Sequence, residues 1–565
     1  MKNLAIILVF AFSVWVPQQS KGQVAPQKYF VEFTDKADSP FSVDRPQEFL
    51  SPRSIERRRK QGIAIEQNDL PVNSSYVNRV RPFTNDILTR SKWLNGITIY
   101  CLNPSFIDSI NRLPFVKRMI KNLNITNVSN YYTENKFKLE ESLLEYNLIP
   151  SSSVNTCYNG NTGYDYGPSL RQIQMLKGDS MHKMGYRGQG KVIAILDGGF
   201  TGADKLVAFD SLWANNQIIG TKDFVTPGAS VYTGSSHGME VLSCIGGNLP
   251  GQLIGTAPKA NFWLLRTEDV NTENLIEEYN WVSGAEFADS AGADIINSSL
   301  GYTQFNDSTK SHTCSDMNGN TTPVTKGANM AFEKGMIVVN SAGNSGGSSW
   351  KCVGAPSDGY YVLSVAAVDS NGVRAPFSSV GETTHRIKPN VAAMGSRTVV
   401  SSSIGTIMHA SGTSFSSPLV AGMAACLWQA APDWSNNLIG RSIELSCNNI
   451  LNPDSLLGYG IPDFVKAMKL LAIDKSLEKG ACVLFPNPFT KDLTISVFSD
   501  REQLVWFTFY DLKAGLVRLS QTQMVRVGQN EVNLSDLSRL GNGVYLLNIT
   551  GSHLNINTKV IKKDN

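Results

Sequence analysis

The chain has 565 residues, of which 42% are hydrophobic and 18% are charged. This balance predicts a folded protein of about three or four domains and excludes a largely disordered chain. The formal net charge is only +3, so the composition gives no indication of nucleic-acid binding. The one basic run, RRRK at residues 57–60, is interpreted as a solvated helix face rather than as a localisation signal.

Residues 1–22 have the pattern of a secretory signal peptide. Lys2 gives a basic start, residues 4–16 form an apolar run, and small residues around Lys21 follow it. The apolar run is too short to span a bilayer stably, and no later stretch reaches the roughly 18 consecutive apolar residues of a membrane helix. We therefore predict export, cleavage after Gly22 and no transmembrane segment.

The next two segments differ in composition. Residues 23–120 predict a small α+β unit, with strands at 29–33 and 97–102, a short helix at 106–113 and another strand beginning at Phe115. Residues 121–165 are rich in Asn and Ser, which predicts a linker that contains a processing site.

Residues 166–472 predict an α/β domain. Short apolar runs recur there with longer helical segments between them, at 192–196, 262–265, 295–296, 336–339 and 362–368. Such unbroken runs are typical of a parallel sheet with helices on both faces, which binds ligands at the carboxyl ends of its strands. Residues 480–565 show short alternating strands between turn residues, which predicts a small antiparallel β-sandwich.

The eight cysteines do not form a metal or redox motif. No two are spaced as CxxC, which excludes zinc-ribbon and thioredoxin-type sites. Export permits disulfides, and Cys314 with Cys352 is the predicted pair because both flank one loop-rich region. Cys244 and Cys426 lie in stretches of small apolar residues and are predicted to be buried thiols.

Three polar residues stand where predicted elements begin or end. Asp197 follows a buried strand, His237 opens a small-residue helix, and Ser414 begins a long apolar helix. Each has an ordinary structural explanation taken alone: a capping acid, a packing histidine and a helix-start serine. Together they supply a nucleophile, a base that accepts its proton and a carboxylate that fixes the tautomer of the base.

The chain order of these residues discriminates between enzyme classes. An α/β-hydrolase would have Ser, Asp and His in that order, with a GxSxG turn that is absent around Ser414. The chymotrypsin order also differs. The helix that begins at Ser414 adds free amides and a positive dipole end, which would stabilise negative charge beside the serine oxygen.

These motifs resemble those of the subtilisin-like serine proteases (subtilases) over residues 166–472. The matching segments are ILDGG at 195–199, HG at 237–238, NSSLG at 297–301, SAGN at 341–344, GTSFSSP at 412–418 and GYGIPD at 458–463. The resemblance implies that Asp197 orients the base, His237 is the general base and acid, Ser414 is the nucleophile and Asn344 donates to the oxyanion.

The resemblance also implies how a substrate binds. An extended peptide would pair along Ser299, Leu300 and Gly301 and pass Gly343, because backbone hydrogen bonds need no particular side chains. Gly354 and Ala355 would line the primary pocket, which would favour a medium or large apolar side chain.

Two residues depart from the family pattern, and no cofactor is predicted. Gly198 replaces the Ser or Thr that commonly follows the aspartate, and Met239 replaces the Thr that commonly follows His-Gly. These changes affect rate and orientation but remove no atom of the triad. Calcium sites are common in the family, yet the sequence contains no Asp-rich loop that would indicate one.

The flanking segments have resemblances of their own. Residues 23–120, with WLNGITIY at 93–100 and LPFV at 113–116, resemble the inhibitory propeptide of subtilases. Residues 480–565 resemble a type IX secretion sorting domain, through FPNPF at 485–489, LSDLSRL at 534–540, GVY at 543–545 and KVIK at 559–562. A carbohydrate-binding β-module is the alternative for this tail.

The sequence as a whole predicts a secreted or cell-surface serine endopeptidase, exported through the periplasm as a propeptide-inhibited precursor. Its expected partners are protein or peptide substrates, its own propeptide and the type IX machinery. The alternative is a catalytically inactive adhesin or binding module with the same sheet.

Overall fold

The computed structural model describes residues 27–122, 163–381, 386–477, 482–499, 501–511 and 515–564. The predicted signal peptide (1–22) and nearly all of the predicted linker (121–165) lie outside these ranges. No helix within them is long and apolar enough to cross a membrane.

The N-terminal unit is a four-stranded antiparallel sheet with three helices. Its elements are β1 (Lys28–Phe33), α1 (Pro52–Gln61), α2 (Ser74–Val80), β2 (Asp86–Ser91), β3 (Gly96–Tyr100), α3 (Pro104–Asn111) and β4 (Val116–Lys121). The strand order is β2-β3-β1-β4, and Val31 and Phe33 on one face of β1 pack with Ile97 and Ile99 of β3. The predicted α+β unit is confirmed, and residues 57–60 lie on a helix, α1, as interpreted from the basic run, although α2 and β2 were not predicted.

The central unit is built on a parallel sheet, as predicted, and this sheet has seven strands. Its strands are β5 (Val192–Asp197), β6 (Ile218–Asp223), β9 (Asn261–Arg266), β10 (Ile295–Ser298), β11 (Ile337–Ser341), β12 (Val362–Val368) and β13 (Val391–Met394), in the order β13-β12-β11-β10-β5-β9-β6. Two small hairpins accompany it: β7 (Asn248–Leu249) with β8 (Leu253–Ile254), and β14 (Thr398–Ser401) with β15 (Ile407–Ala410).

Helices cover both faces of this sheet. They are α4 (Leu170–Met175), α5 (Gly178–Lys183), α6 (Asp210–Ala214), α7 (His237–Gly246), α8 (Ile276–Ala291), α9 (Pro323–Glu333), α10 (Thr413–Ala430), α11 (Asn436–Ser446) and α12 (Phe464–Leu477). All six residues of β5 are buried. Ile193 and Ile195 join the core with α7 and α10, whereas Val192 and Leu196 join the core with α8 and α9. Burial on both faces explains why the sequence of this strand is a nearly unbroken apolar run.

Helix α10 passes through the core of the central unit. Every residue from Thr413 to Trp428 is buried. Pro418 is the sixth residue of the helix, so its missing amide leaves the Ser414 carbonyl without the usual helical donor, and the Ser299 hydroxyl donates to that carbonyl at 2.9 Å instead. The helix start is therefore held in a fixed position against the sheet.

The C-terminal unit contains two antiparallel sheets, as predicted. The first comprises β16 (Cys482–Phe485), β17 (Leu493–Ser499) and β20 (Gly528–Leu534), and the second comprises β18 (Gln503–Tyr510), β19 (Leu516–Val525), β21 (Gly543–Thr550) and β22 (Asn555–Lys562). Side chains from both sheets, including Ile495, Val505 and Leu547, share one apolar core.

The cysteine predictions are confirmed. Cys314 and Cys352 form a disulfide with a Cα–Cα distance of 6.1 Å. Cys244 and Cys426 are fully buried thiols. Burial raises the pKa of each of these two thiols, so both remain protonated and behave as small apolar residues.

The interpretation of residues 57–60 as a solvated face is wrong for two of the arginines. The run lies on α1, but Arg57 and Arg58 are buried against α8 of the central unit. The Asp289 carboxylate accepts hydrogen bonds of 2.6 Å from Arg57 and 2.8 Å from Arg58. Lys92 of the N-terminal unit adds a third cation at 2.9 Å. The positive charges of Arg57 and Arg58 are paired with the Asp289 carboxylate instead of being hydrated. A local sequence pattern does not reveal such a distant partner.

This cluster is stabilised by charge. Burial alone would raise the pKa of Asp289, but Lys92, Arg58 and Arg57 together hold that pKa well below its usual range. The carboxylate is therefore ionised wherever the two units are in contact. Removal of one partner from a buried ion pair strongly destabilises the folded protein, because the remaining charge is still desolvated but no longer paired.

Replacing Arg58 by methionine should destabilise the chain that retains residues 27–122 by about 3 kcal/mol. Arg59 is the matched control, since it is on the same helix but pairs with Glu56 at an exposed position. Arg59→Met should leave the stability almost unchanged, because an ion pair at an exposed position contributes little. Urea unfolding of the two variants measures the difference, and equal stabilities would show that the buried cluster contributes nothing special.

A second buried titratable group lies in α5. The His182 ring accepts a 2.8 Å hydrogen bond from the Tyr166 hydroxyl on Nδ1 and donates through Nε2 to the Thr256 carbonyl at 2.9 Å. Burial lowers the pKa of His182 to about 4. The histidine is therefore neutral in the folded protein at pH values where the unfolded chain already binds a proton.

Because the folded pKa of His182 is depressed, its contribution to stability is complete above about pH 6.5 and is lost as the pH falls through about 4. The shift corresponds to about 3 kcal/mol. The unfolding free energy of the unsubstituted protein should fall between pH 7 and pH 4. In His182→Gln this fall should be smaller by about the same amount. The control is His553→Gln, at an exposed position of the C-terminal unit, which should keep the full pH dependence in urea titrations.

Candidate active site

Asp197 lies at the carboxyl end of β5, near the centre of the parallel sheet. Its side chain is fully buried, and Oδ1 accepts a 2.7 Å hydrogen bond from the amide of Gly198. The amide of the residue that follows thus contacts the carboxylate directly, although the side-chain hydroxyl common in the family at that position is missing.

His237 is the first residue of α7 and faces Asp197. Its Nδ1 lies 2.8 Å from Oδ1 and 3.0 Å from Oδ2 of that carboxylate. An ionised carboxylate only accepts hydrogen bonds, so Nδ1 carries the proton and Nε2 is the basic nitrogen of the neutral ring. The Ser235 hydroxyl accepts from the His237 amide at 3.0 Å and anchors the helix start.

Gly238 explains how the helix comes so close to the strand end. A Cβ atom there would lie 2.5 Å from the Gly199 carbonyl oxygen and 2.8 Å from the Asp197 Cβ. Any larger residue would force the backbones apart and pull the imidazole away from its carboxylate. The glycine after the histidine is therefore required by packing.

Ser414 is the second residue of α10 and is only 2% exposed. The ring of its neighbour Phe415 lies 6.0 Å from the His237 ring, centroid to centroid, so the helix start and the histidine adjoin. The Ser414 hydroxyl donates to the Ser299 carbonyl at 3.3 Å, and the Ser299 hydroxyl donates to the Ser414 carbonyl at 2.9 Å. The structure thus joins the predicted peptide-binding edge to the predicted nucleophile.

Asn344 follows β11 and is oriented by the start of α10. Its Oδ1 accepts hydrogen bonds from both the amide and the hydroxyl of Thr413, each at 2.9 Å. Two donors on one atom identify it as the oxygen, which places the Nδ2 donor at the other end of the amide. Gly343 has a φ of +103°, a conformation that suits glycine, and its amide donates to the Thr413 hydroxyl at 3.1 Å.

Ser414 and Asn344 border the same cavity, of about 200 Å³, which we call the serine pocket. It is also lined by most of the residues predicted to bind substrate, namely Ser299, Leu300, Gly301, Gly343 and Gly354. Ala355 is fully buried and is not among the residues that line it.

Two carboxylic residues of the serine pocket, Glu268 and Glu273, were missed in the sequence. Both belong to the loop after β9, which neighbours β5 in the sheet. Because the carboxyl ends of adjacent parallel strands meet at one edge, the acid-rich TED at residues 267–269 was an available signal. Among the described residues, no group of three or more His, Cys, Asp and Glu side chains is arranged to hold a metal ion.

Three family models match the chain in succession. The model of the peptidase S8 propeptide domain of Bacteroidota matches residues 28–138, that of the subtilase family matches residues 188–460, and that of the secretion system C-terminal sorting domain matches residues 483–563.

Individual proteins match the central unit. Subtilisin NAT of Bacillus subtilis subsp. natto is 30% identical over 310 residues, which cover 54% of this chain and 73% of that protein. A subtilisin of Bacillus pumilus is 30% identical over 276 residues, covering 48% of this chain and 89% of the relative. Among solved structures, MycP1 from Mycobacterium smegmatis is 21% identical with a TM-score of 0.41, covering 54% of this chain and 87% of its own.

Proposed function

The chain belongs to the subtilase family, as a serine endopeptidase made with a propeptide domain, and we propose that Asp197, His237 and Ser414 are its catalytic triad. The observation that carries this assignment is the contact between His237 Nδ1 and the Asp197 carboxylate, at 2.8 Å and 3.0 Å. This contact leaves Nε2 as the basic nitrogen beside the start of α10.

The proposed reaction proceeds through an acyl-enzyme. His237 Nε2 takes the Ser414 proton as the serine oxygen attacks the substrate carbonyl, and the imidazolium that forms is stabilised by Asp197. His237 then gives the proton to the leaving amine. Water repeats the sequence on the ester and releases the second product.

The oxyanion of each tetrahedral intermediate would be stabilised from two directions. The Asn344 amide donates through Nδ2, which its contacts with Thr413 hold in one orientation. The positive end of the α10 dipole adds a positive potential at Ser414. We propose that the substrate lies as an extended strand along Ser299, Leu300 and Gly301 and passes Gly343.

Residues 23–120 are proposed to inhibit the precursor, residues 121–165 to contain the processing region and residues 166–472 to form the catalytic domain. The sorting domain indicates a secreted or cell-surface protein, and it replaces the alternative of a carbohydrate-binding tail. We propose that residues 1–22 direct export to the periplasm and that residues 480–565 engage the type IX machinery there.

A catalytically inactive adhesin is the competing function. Labelling by a fluorophosphonate probe separates the two, because only an activated serine reacts. The buried Asp197–His237 contact favours the enzyme, since a binding scaffold has no use for a desolvated carboxylate and imidazole at this edge.

Ser414→Ala should accumulate as a folded precursor that retains the propeptide, because the nucleophile for self-cleavage is missing. Ser416→Ala is the matched control: Ser416 is buried two residues further along α10 and donates to the Thr413 carbonyl. The control should be processed and labelled normally. Immunoblotting and fluorophosphonate labelling read the outcome, and normal processing of Ser414→Ala would assign the cleavage to another protease.

Asn344→Ala should lower kcat with little change in KM, because the amide acts on charge that develops only in the transition state. Removal of one such donor from a subtilisin lowers kcat by roughly 10²–10³-fold, and we expect a loss of that order. Asn344→Asp is the paired variant, since it keeps an oxygen for Thr413 but has no amide donor. Steady-state kinetics should show a fall in kcat for both, and full turnover in Asn344→Asp would contradict the assignment.

A further inference from the structure

Helix α10 lacks one backbone hydrogen bond close to Ser414. In a regular helix the amide four residues further along donates to each carbonyl. For the Ser414 carbonyl that residue is Pro418, which has no amide hydrogen. Because buried carbonyls are almost always hydrogen-bonded and Ser414 is only 2% exposed, the position of this first turn depends on a donor from outside the helix.

The Ser299 hydroxyl is this outside donor. Its oxygen lies 2.9 Å from the Ser414 carbonyl oxygen. Ser299 is itself only 4% exposed, so there is little room for water to take over the contact. A side chain at the end of β10 thus replaces the hydrogen bond that the helix cannot make for itself.

Asn297 orients the Ser299 hydroxyl. The Ser414 carbonyl can only accept, so the Ser299 proton points to it, and the Asn297 atom 3.4 Å from Ser299 Oγ is the donor Nδ2. The other end of the amide, Oδ1, accepts a 2.9 Å hydrogen bond from the Ser417 hydroxyl. These hydrogen bonds connect the second turn of α10 with its first turn through two residues of the sheet, and so bridge the gap that Pro418 leaves.

Strand geometry explains why Asn297 and Ser299 act together. Side chains two residues apart in a strand point to the same face, and both of these contact α10. Ser298 lies between them and points to the opposite face, where its hydroxyl accepts a 2.9 Å hydrogen bond from the Trp281 indole of α8. The sequence NSS at residues 297–299 therefore places two polar side chains against the start of α10 and one against α8.

We propose that Ser299 is a positioning residue for the nucleophile, and that its hydroxyl fixes Ser414 relative to the peptide-binding edge. This inference rests on the proposed function of Ser414 and of the edge. The backbone of Ser299 would pair with the substrate while its side chain holds the first turn of α10, so one segment sets the positions of both reacting groups. A displacement of about 1 Å between such groups can lower the rate roughly 10²-fold.

Ser299→Ala in the matured full-length protease should lower kcat by roughly tenfold or more. KM should change little, because the backbone that pairs with the substrate remains. Ser298→Ala is the matched control: it removes a buried hydroxyl from the adjacent residue, on the face away from α10, and should keep the original kcat. The assay uses a fluorogenic peptide that the unsubstituted enzyme cleaves. A rise in KM with unchanged kcat in Ser299→Ala would overturn the proposal.

Rescue by Pro418→Ala tests the mechanism directly. Alanine restores an amide that can donate to the Ser414 carbonyl, so the Ser299 hydroxyl becomes dispensable. Ser299→Ala should then lower kcat by less than about threefold when it is introduced into Pro418→Ala. Equal losses in the two backgrounds would show that the hydroxyl does not replace the missing amide.

Folding and maturation are followed in the same set of variants. Thermal melts show whether each variant folds, and a double variant that does not fold where Pro418→Ala does would overturn the proposal. If Ser299→Ala does not release its N-terminal unit, processing becomes the measurement. The double variant should regain processing, and continued failure would count against the rescue and hence against the proposed role.

The rate of fluorophosphonate labelling distinguishes failure of this inference from failure of the proposed function. The probe reacts with Ser414 without pairing along the peptide-binding edge, so Ser299→Ala should slow labelling about as much as it lowers kcat. An unsubstituted protein that labels, with a Ser299→Ala variant that labels equally fast, would overturn the positioning role alone. A matured protein that does not label would overturn the proposed function and this inference with it.

Discussion

The close approach of α7 to the end of β5 is the constraint on which the site depends. Asp197 lies at the end of a fully buried strand, and His237 can reach it only because Gly238 has no side chain to hold the backbones apart. The carboxylate then determines which imidazole nitrogen carries the proton, and hence which one can accept the serine proton. The close packing of two backbone segments, the end of β5 and the start of α7, thereby determines which imidazole nitrogen is available beside the start of α10.

The N-terminal unit binds the central unit through charges that neither could bury alone. Asp289 requires the cations of α1 and of Lys92, and Glu286 on the same helix accepts from the amides of Lys92 and Trp93. Burial raises the pKa of Glu286 to about 7, against the opposing effect of Lys92. Separation of the units would return both carboxylates to water and leave the arginines without their partner. The contact between the units therefore depends on keeping these charges paired and away from solvent.

The sequence allowed prediction of features that depend on local pattern or on chain order. The parallel sheet followed from its apolar runs, and the order Asp197, His237, Ser414 followed from three motifs. Features created by contact between distant segments could not be predicted in the same way. The burial of Arg58 depends on a carboxylate 231 residues further along the chain, and the orientation of Asn344 depends on Thr413, 69 residues away.

The parallel sheet also explains why the candidate catalytic carboxylate and the loop that lines the serine pocket share one edge. Strand β9 lies beside β5, so the loop that contains Glu268 begins at the level where Asp197 ends. The Asp197 carboxylate is fixed at the end of β5, and the Thr267 amide at the start of the neighbouring loop donates to the Asp197 carbonyl at 2.9 Å. The backbone at the start of that loop therefore helps to hold Asp197 in place. Adjacent strand ends thus bring the proposed triad carboxylate and one wall of the serine pocket to the same edge of the sheet.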